Sequence, residues 1–347
     1  MPSIHALSSK LQSVSSQQKL DDEIHSILNT HTISHIQTYS YFNKDIPENM
    51  SPGELSSNFV YGDPHENLQQ IESFEKRYQF SYKIERELDL HKFELIMTLG
   101  QGSFGRVLLV VFEQNKIEYA LKVLDKSKIV KYSQIKHVQS EIRILNAIKH
   151  PNIIIMHSLF KDNSYIYVLM EYIGGGDLFG YINRLKFFQE NVTSFFAAQI
   201  VLVFEYLHLF NIIYRDLKPV LIYEMNTGNP PFKGQSDLVL FEAICRKKPP
   251  MRTGFTLNFK KIILDLLEKD PTKRLGSSSK GSAAVKEHPW FIKINFHAIY
   301  TQQIPSPFYQ YVITRSIDDC RQESIVRNEE PLVVAEQDYY EEYFKDF

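Results

Sequence analysis

The sequence predicts an α+β fold of two bodies, a strand-rich one followed by a helical one. Three observations predict it. Short apolar runs of extended character recur from Phe93 to Glu171. A glycine triplet, Gly174–Gly176, closes that stretch, and helical periodicity then runs, apart from loops, to about Phe291. Strands that come first and helices that come after segregate into a sheet and a helical layer, whereas alternating elements would build a parallel sheet.

The elements follow in order. Residues 1–62 are rich in Ser, Gln, His and Asn with weak periodicity, which predicts a mostly disordered extension with a transient helix near Lys19–Leu28. Leu68, Ile71, Phe74, Tyr78 and Tyr82 recur at helical spacing between charges, which predicts an amphipathic helix within 63–92 whose apolar stripe docks on the following domain. Phe93–Leu99 and Val107–Phe112 flank a glycine-rich turn and read as a hairpin, and Tyr119–Leu124 as a third strand. Ile135, Val138, Ile142, Leu145 and Ile148 mark a helix of about four turns, broken by His150-Pro151-Asn152. Two further strands are expected at Ile153–Phe160 and Tyr165–Glu171. Residues 292–347 lack steady periodicity and read as a tail wrapped on the surface.

Composition excludes several classes. The chain has 347 residues, 43% hydrophobic and 23% charged, with a net charge of −2. That balance gives no argument for nucleic acid or an anionic membrane as partner. Two cysteines, Cys245 and Cys320, build no disulfide framework, so a reducing compartment is expected, cytoplasmic and also nuclear. Phe195–Tyr214 is the most apolar stretch, but Gln199, Glu205 and His208 interrupt it, so a buried helix is expected and no membrane span. Met-Pro-Ser at the start carries neither a signal-peptide charge pattern nor a myristoylation glycine.

Gly100-Gln101-Gly102-Ser103-Phe104-Gly105 is a G-x-G-x-x-G run between two strands. A dinucleotide site would open a helix instead, so the context favours a flap over phosphates, with an ordinary hairpin turn as the other reading. Lys122 stands in an apolar strand, where an ammonium is costly unless paired. Glu141 shares a helical stripe with Val138 and Leu145 and is expected to face inward against it, as a phosphate-positioning pair or a structural salt bridge. Asp216, in Tyr214-Arg215-Asp216-Leu217-Lys218-Pro219, suits acceptance of a hydroxyl proton, and Lys218 suits neutralising a phosphoryl group in flight.

Taken together, Leu99–Val107, Ala120–Lys122, Glu141, Met170-Glu171-Tyr172 and Tyr214–Pro219 resemble the AGC group of protein kinases, closest to the catalytic subunits of the cyclic-AMP-dependent type. The resemblance runs from about Leu68 to Phe347. It implies a bilobal protein-kinase-like fold: a kinase domain over 93–291, divided into a small lobe at 93–170 and a truncated large lobe at 171–291, then an AGC tail at 292–347. It implies ATP with Mg2+, and protein substrates with basic residues near Ser or Thr. A regulatory subunit is a further implied partner, though much of its surface belongs to a segment missing here. By the resemblance, Asp216, Lys218, Lys122 and Glu141 are catalytic. Leu99, Val107 and Ala120 sandwich adenine beside Met170, and the backbone of Glu171–Ile173 hydrogen-bonds it. Gly100, Gly102, Ser103, Phe104 and Gly105 cover the phosphates. Asp177 reaches the ribose and a substrate arginine, and Glu224 reads a second arginine; a helix N-cap and a solvated face are the plainer readings of those two.

One departure dominates. In that family Lys-Pro is followed by Glu-Asn, two strands, Asp-Phe-Gly, the activation loop and Ala-Pro-Glu. Here Pro219 runs directly into Val220-Leu221-Ile222-Tyr223-Glu224-Met225, which belongs several dozen residues downstream, and neither Asp-Phe-Gly nor Ala-Pro-Glu occurs anywhere in the sequence. The implied ligands of both magnesium ions go with them. Arg215, His137 and Arg274 are expected to be left without partners by the same loss. The chain therefore reads either as an impaired kinase, as a pseudokinase-like nucleotide- or protein-binding module, or as the product of a skipped exon or a faulty gene model. At the tail, Phe344-Lys345-Asp346-Phe347 resembles the ring motif that docks on the small lobe and braces the Glu-bearing helix. Ile317 and Cys320 stand where the family usually has Phe and Tyr.

Overall fold

The computed structural model describes residues 64–79, 85, 87–212, 220–278, 280–309, 317, 320, 331–345 and 347. All of them belong to one compact unit, 36–347. The expected extension over 1–62, with its helix near Lys19–Leu28, lies outside the described residues, as do Ile213–Pro219 and the side chain of Leu68.

Helix α1 spans Pro64–Gln79. It is shorter than the 63–92 segment expected: by Glu87–Asp89 the chain is no longer helical, and Leu90–Lys92 is a single 3-10 turn. The reason is tertiary. The Glu85 N–H donates to the Leu159 carbonyl at 2.9 Å, and Leu88 and Leu90 pack on the outer sheet cluster around Phe93, which pulls this stretch onto the sheet. The stripe does dock: Phe74 is buried and stacks on Phe210 with ring centroids 4.3 Å apart.

Five antiparallel strands follow, β1 Phe93–Gly102, β2 Gly105–Phe112, β3 Glu118–Asp125, β4 Met156–Lys161 and β5 Tyr165–Glu171, in the order β1-β2-β3-β5-β4. The sheet buries both faces. Leu108, Val110, Leu121, Val123 and Tyr167 form the outer cluster with Phe93 and Phe160. Ala120, Leu124, Ile166 and Val168 face α3, Ile135–Ala147, through Val138 and Ile142. A short helix α2, Lys126–Lys131, leads out of β3, N-capped by the Asp125 carboxylate on the Ser127 and Lys128 N–H groups. Strand β4 starts three residues later than expected. His150–Ile153 is taken up by a turn, and the Ile155 carbonyl already accepts the Glu171 N–H at 3.0 Å.

The helical body comprises α4 Leu178–Leu185, α5 Glu190–Leu209, α6 Val220–Thr227, α7 Asp237–Arg246, α8 Leu257–Leu266, α9 Ser282–Lys286 and α10 Phe296–Tyr300. Helix α5 is apolar almost all round and buries fourteen of its residues, as the sequence predicts for a core helix. It is long and apolar enough to cross a membrane by composition, yet it forms the centre of this body. Its Phe196 and Leu202 share a core cluster with Met225, Phe259, Ile262 and Ile263. The segment after 292 is less peripheral than expected: Ala298 and Ile299 are buried, and Phe308 stacks on Tyr181 at 4.8 Å. Aromatic surface at 292–308 supplies core area that period analysis does not detect in so short a helix.

Candidate active site

The glycine-rich run closes the β1–β2 hairpin. Gly102 pairs with Gly105, so Ser103 and Phe104 form a two-residue tip. The three glycines do different things. A Cβ on Gly105 would stand 1.8 Å from the Val123 carbonyl oxygen, so this glycine is required by the approach of β3. Around Gly100 nothing lies within 4 Å of an added Cβ, and at Gly102 only the Gly105 carbonyl does, at 3.9 Å. Those two leave open backbone for a ligand. Ser103 is exposed, whereas the Phe104 ring packs edge-on to Tyr132, so it serves the fold as well as the loop.

Beneath the hairpin the register places the remaining residues. Val107 pairs with Lys122, Leu109 with Ala120, and Ala120 with Met170. Ala120 and Met170 are buried, Val107 is half-buried, and Leu99 is exposed beside Gly100. This brings Leu99, Val107, Ala120 and Met170 onto the adjoining strands β1, β2, β3 and β5. Past β5, Ile173 makes no backbone hydrogen bond among the described residues, which keeps its N–H and carbonyl available. Glu171 is different. Its N–H is spent on Ile155, and its buried carboxylate accepts the Ile155 N–H, so its side chain completes the β4–β5 edge.

The Lys122 ammonium donates to Glu141 at 2.6 Å, which joins β3 to α3. The expected depth is corrected. The two side chains are 31% and 58% exposed, so Glu141 looks out from the edge of α3 and the pair opens to solvent. Val138 and Ile142 take the inward positions instead, because the helical stripe is centred on them.

Asp177 caps α4, its carboxylate accepting the Gly180 N–H, so the plainer reading holds for one of its oxygens. Glu224 sits half-buried on α6 between buried Tyr223 and Met225, which corrects the solvated-face reading. Asp216 and Lys218 lie outside the described residues. Two of the three residues expected to be stranded are not. His137 contacts the Gln134 amide oxygen at 2.6 Å on the surface, and Arg274 donates to the Glu268 carbonyl at 2.9 Å. A backbone carbonyl thus takes the place of the carboxylate expected opposite Arg274. Among the described residues no group of three His, Cys, Asp or Glu side chains is arranged to hold a metal ion.

The tail closes over the far side of α3. Phe344 is fully buried and Phe347 nearly so, in the cluster of Val138 and Ile142. Cys320 is buried and Ile317 half-buried against Ile96, Met97, Leu109 and Val111. Sequence reasoning missed Lys126, whose side chain is completely buried and paired with Asp338. No local signal reveals it, since the partner lies 212 positions away.

A glycine hairpin over a strand lysine, that lysine tied to a helix carboxylate, and an Ile173 backbone without hydrogen bonds among the described residues fit a protein kinase small lobe. The comparisons agree. A protein kinase domain is matched over residues 93–220. A cAMP-dependent protein kinase, catalytic subunit-like, of Caenorhabditis elegans is 32% identical over 263 residues, which cover 60% of this chain and 66% of the relative. Its counterpart in Caenorhabditis briggsae is 30% identical over 315 residues, 73% of this chain and 82% of the relative. The cAMP-dependent protein kinase catalytic subunit of Dictyostelium discoideum is 30% identical over 318 residues, 74% and 49%. The chain belongs to the AGC-type protein kinases, in the family of the cAMP-dependent protein kinase catalytic subunits.

Proposed function

We propose that this chain is the nucleotide-binding frame of an ATP-dependent serine/threonine kinase of the cAMP-dependent type, and that in this form it transfers phosphate weakly or not at all. The observation that carries the first half is the Lys122–Glu141 pair at 2.6 Å, which joins β3 to α3 in the same lobe whose β1 presents open backbone at Gly100 and Gly102. These residues fit a nucleotide: ammonium and backbone N–H groups for its phosphates, and Leu99, Val107, Ala120 and Met170 for its base. The second half rests on the junction Pro219–Val220, where the family's metal-binding Asn and Asp-Phe-Gly have no counterpart. When bound, magnesium neutralises charge on the β and γ phosphates. Loss of a single stabilising group in an active site costs about 10²–10³ in rate. The matched spans also support a missing block. The 263 residues aligned with the C. elegans relative exceed the 60% of this chain that takes part, and the same holds for 315 residues against 73%.

Substrates with basic residues near Ser or Thr, and a regulatory subunit, belong to the full-length form in this reading. Half-buried Glu224 and the exposed Asp177 are its candidate arginine contacts. The purified chain, incubated with Mg-ATP and a basic serine peptide, is expected to show no turnover, and ADP to raise its melting temperature equally with and without magnesium. Rapid turnover abolished by Lys122→Ala, or a thermal shift that needs magnesium, overturns the proposal.

A further inference from the structure

The helical body carries a cavity of about 350 Å³ between the α4–α5 turn, the end of α6 and the segment that leads into α8. None of the nucleotide-site residues lines it. Its volume falls in the range of small-ligand pockets. Its walls are pinned. The Phe188 N–H donates to the Met225 carbonyl at 2.7 Å, the Phe188 carbonyl accepts the Asn226 amide at 3.1 Å, and the Phe188 ring stands edge-on to Phe308. The Thr256 N–H and hydroxyl reach the two oxygens of Glu190 at 2.9 and 2.7 Å, and Phe255 packs edge-on to Phe259. Walls fixed in advance leave little ordering for a ligand to impose.

Three groups of the lining remain unspent. The Phe187 ring is 57% exposed. Asn226 is only 9% exposed, and its amide nitrogen is used on Phe188 and on the Thr193 hydroxyl at 3.3 Å. Its amide oxygen accepts no hydrogen bond among the described residues. Arg252 is exposed and makes no ion pair or hydrogen bond among the described residues, while Glu190, the acid of the same lining, is committed to Thr256. The Arg252 charge is felt by the Tyr223 hydroxyl, on the helix that carries Asn226.

We propose that this cavity binds a small aromatic carboxylate that carries an N–H donor, with its ring on Phe187 and Phe255, its N–H on the Asn226 oxygen and its carboxylate on Arg252. Rings pair favourably edge-on or offset. An acceptor as buried as Asn226 penalises a ligand that brings no donor. The planar guanidinium matches a carboxylate in two parallel hydrogen bonds. The inference is independent of nucleotide binding and of phosphate transfer.

Calorimetric titration of the full chain with indole-3-acetate tests it, and a Kd below about 1 mM is expected for a ligand of this size. Benzothiophene-3-acetate has the same shape without the N–H and is expected to bind at least ~10-fold more weakly. Arg252→Gln is expected to weaken indole-3-acetate by about 3–5-fold and to leave the weaker binding of uncharged indole-3-acetamide unchanged. Phe187→Ala is expected to weaken both indoles alike. Arg252 and Phe187 are exposed, so both variants keep the wild-type melting temperature. Absence of binding at millimolar indole-3-acetate overturns the proposal. So does equal affinity for the benzothiophene, or an Arg252→Gln variant that binds the acid as the wild type does.

Discussion

At the scale of single residues, Gly105 separates two explanations that the glycine run leaves merged. Its Cβ would collide with the Val123 carbonyl at 1.8 Å, while Gly100 stands in open space. Gly105→Ala is therefore expected to destabilise the chain by about 1–3 kcal/mol, as overpacking does, and Gly100→Ala by less than about 1 kcal/mol. Urea unfolding of the two variants distinguishes them, and equal losses would mean that the β2–β3 approach is not what fixes Gly105. The residue types of the site were legible because motif and chemistry coincide at Gly100, Gly102, Lys122 and Glu141. Their environment was not. By period alone Glu141 shares the inward stripe of Val138, Ile142 and Leu145, but rotation of the helix about its axis is decided by packing, which centres the stripe on buried Val138 and Ile142 and leaves Glu141 at the rim. Lys126 was illegible for a different reason: nothing near it in the chain announces a carboxylate that arrives from the tail.

At the scale of elements, the junction between α3, α5 and α10 carries a pH dependence. His150 follows α3, buried with its ring 5.1 Å from Tyr206 and 5.6 Å from Tyr300, and its Nδ1 accepts the Asn152 N–H at 3.0 Å. Burial lowers its pKa to about 3. A depressed folded value means that the unfolded chain binds the proton first, so this contribution is complete above the ordinary value near 6.5 and is lost as the pH falls toward 3. Between pH 7 and pH 5 the loss is about 2 kcal/mol. Glu205 on α5 works in the opposite sense. Burial raises its pKa against the pull of Lys286, so its contribution is present below the ordinary 4.5 and is lost as the pH rises through the folded value. Comparison with His150→Leu isolates the first effect. The variant is expected to be less stable at pH 7 yet to lose about 2 kcal/mol less on going to pH 5; parallel stability curves would discard the assignment. The elements themselves were largely legible. The hairpin, β3, α3 and β5 stand where period and turn residues put them, and the errors fall at α1 and β4, where tertiary hydrogen bonds from Glu85 and Glu171 override local pattern.

At the scale of the whole molecule, the argument for a lost block changes its footing. His137 and Arg274 have found other partners, so stranded cations no longer carry it. The junction at Pro219–Val220 still does, and the exposed apolar residues of α7 add to it. Ala243 is the one buried residue of this helix, while Leu238 is 81% exposed and Val239, Phe241 and Ile244 stand in water beside it. Four exposed apolar side chains on one short helix mark a surface suited to being covered. A chain long adapted to this length would be expected to carry polar residues there, since such a face promotes association. Loss of a segment leaves it uncovered without any further change. The prediction is that messages from the locus include a longer form, with sequence inserted between the codons of Pro219 and Val220 that encodes Asp-Phe-Gly and Ala-Pro-Glu, and that its product associates less than this chain at equal concentration. Sequencing across that junction, with sedimentation of both products, decides the matter. A genomic reading in which the two codons adjoin with nothing between them would show the short form to be the encoded one, and α7 would then stand as a binding face that this protein has kept.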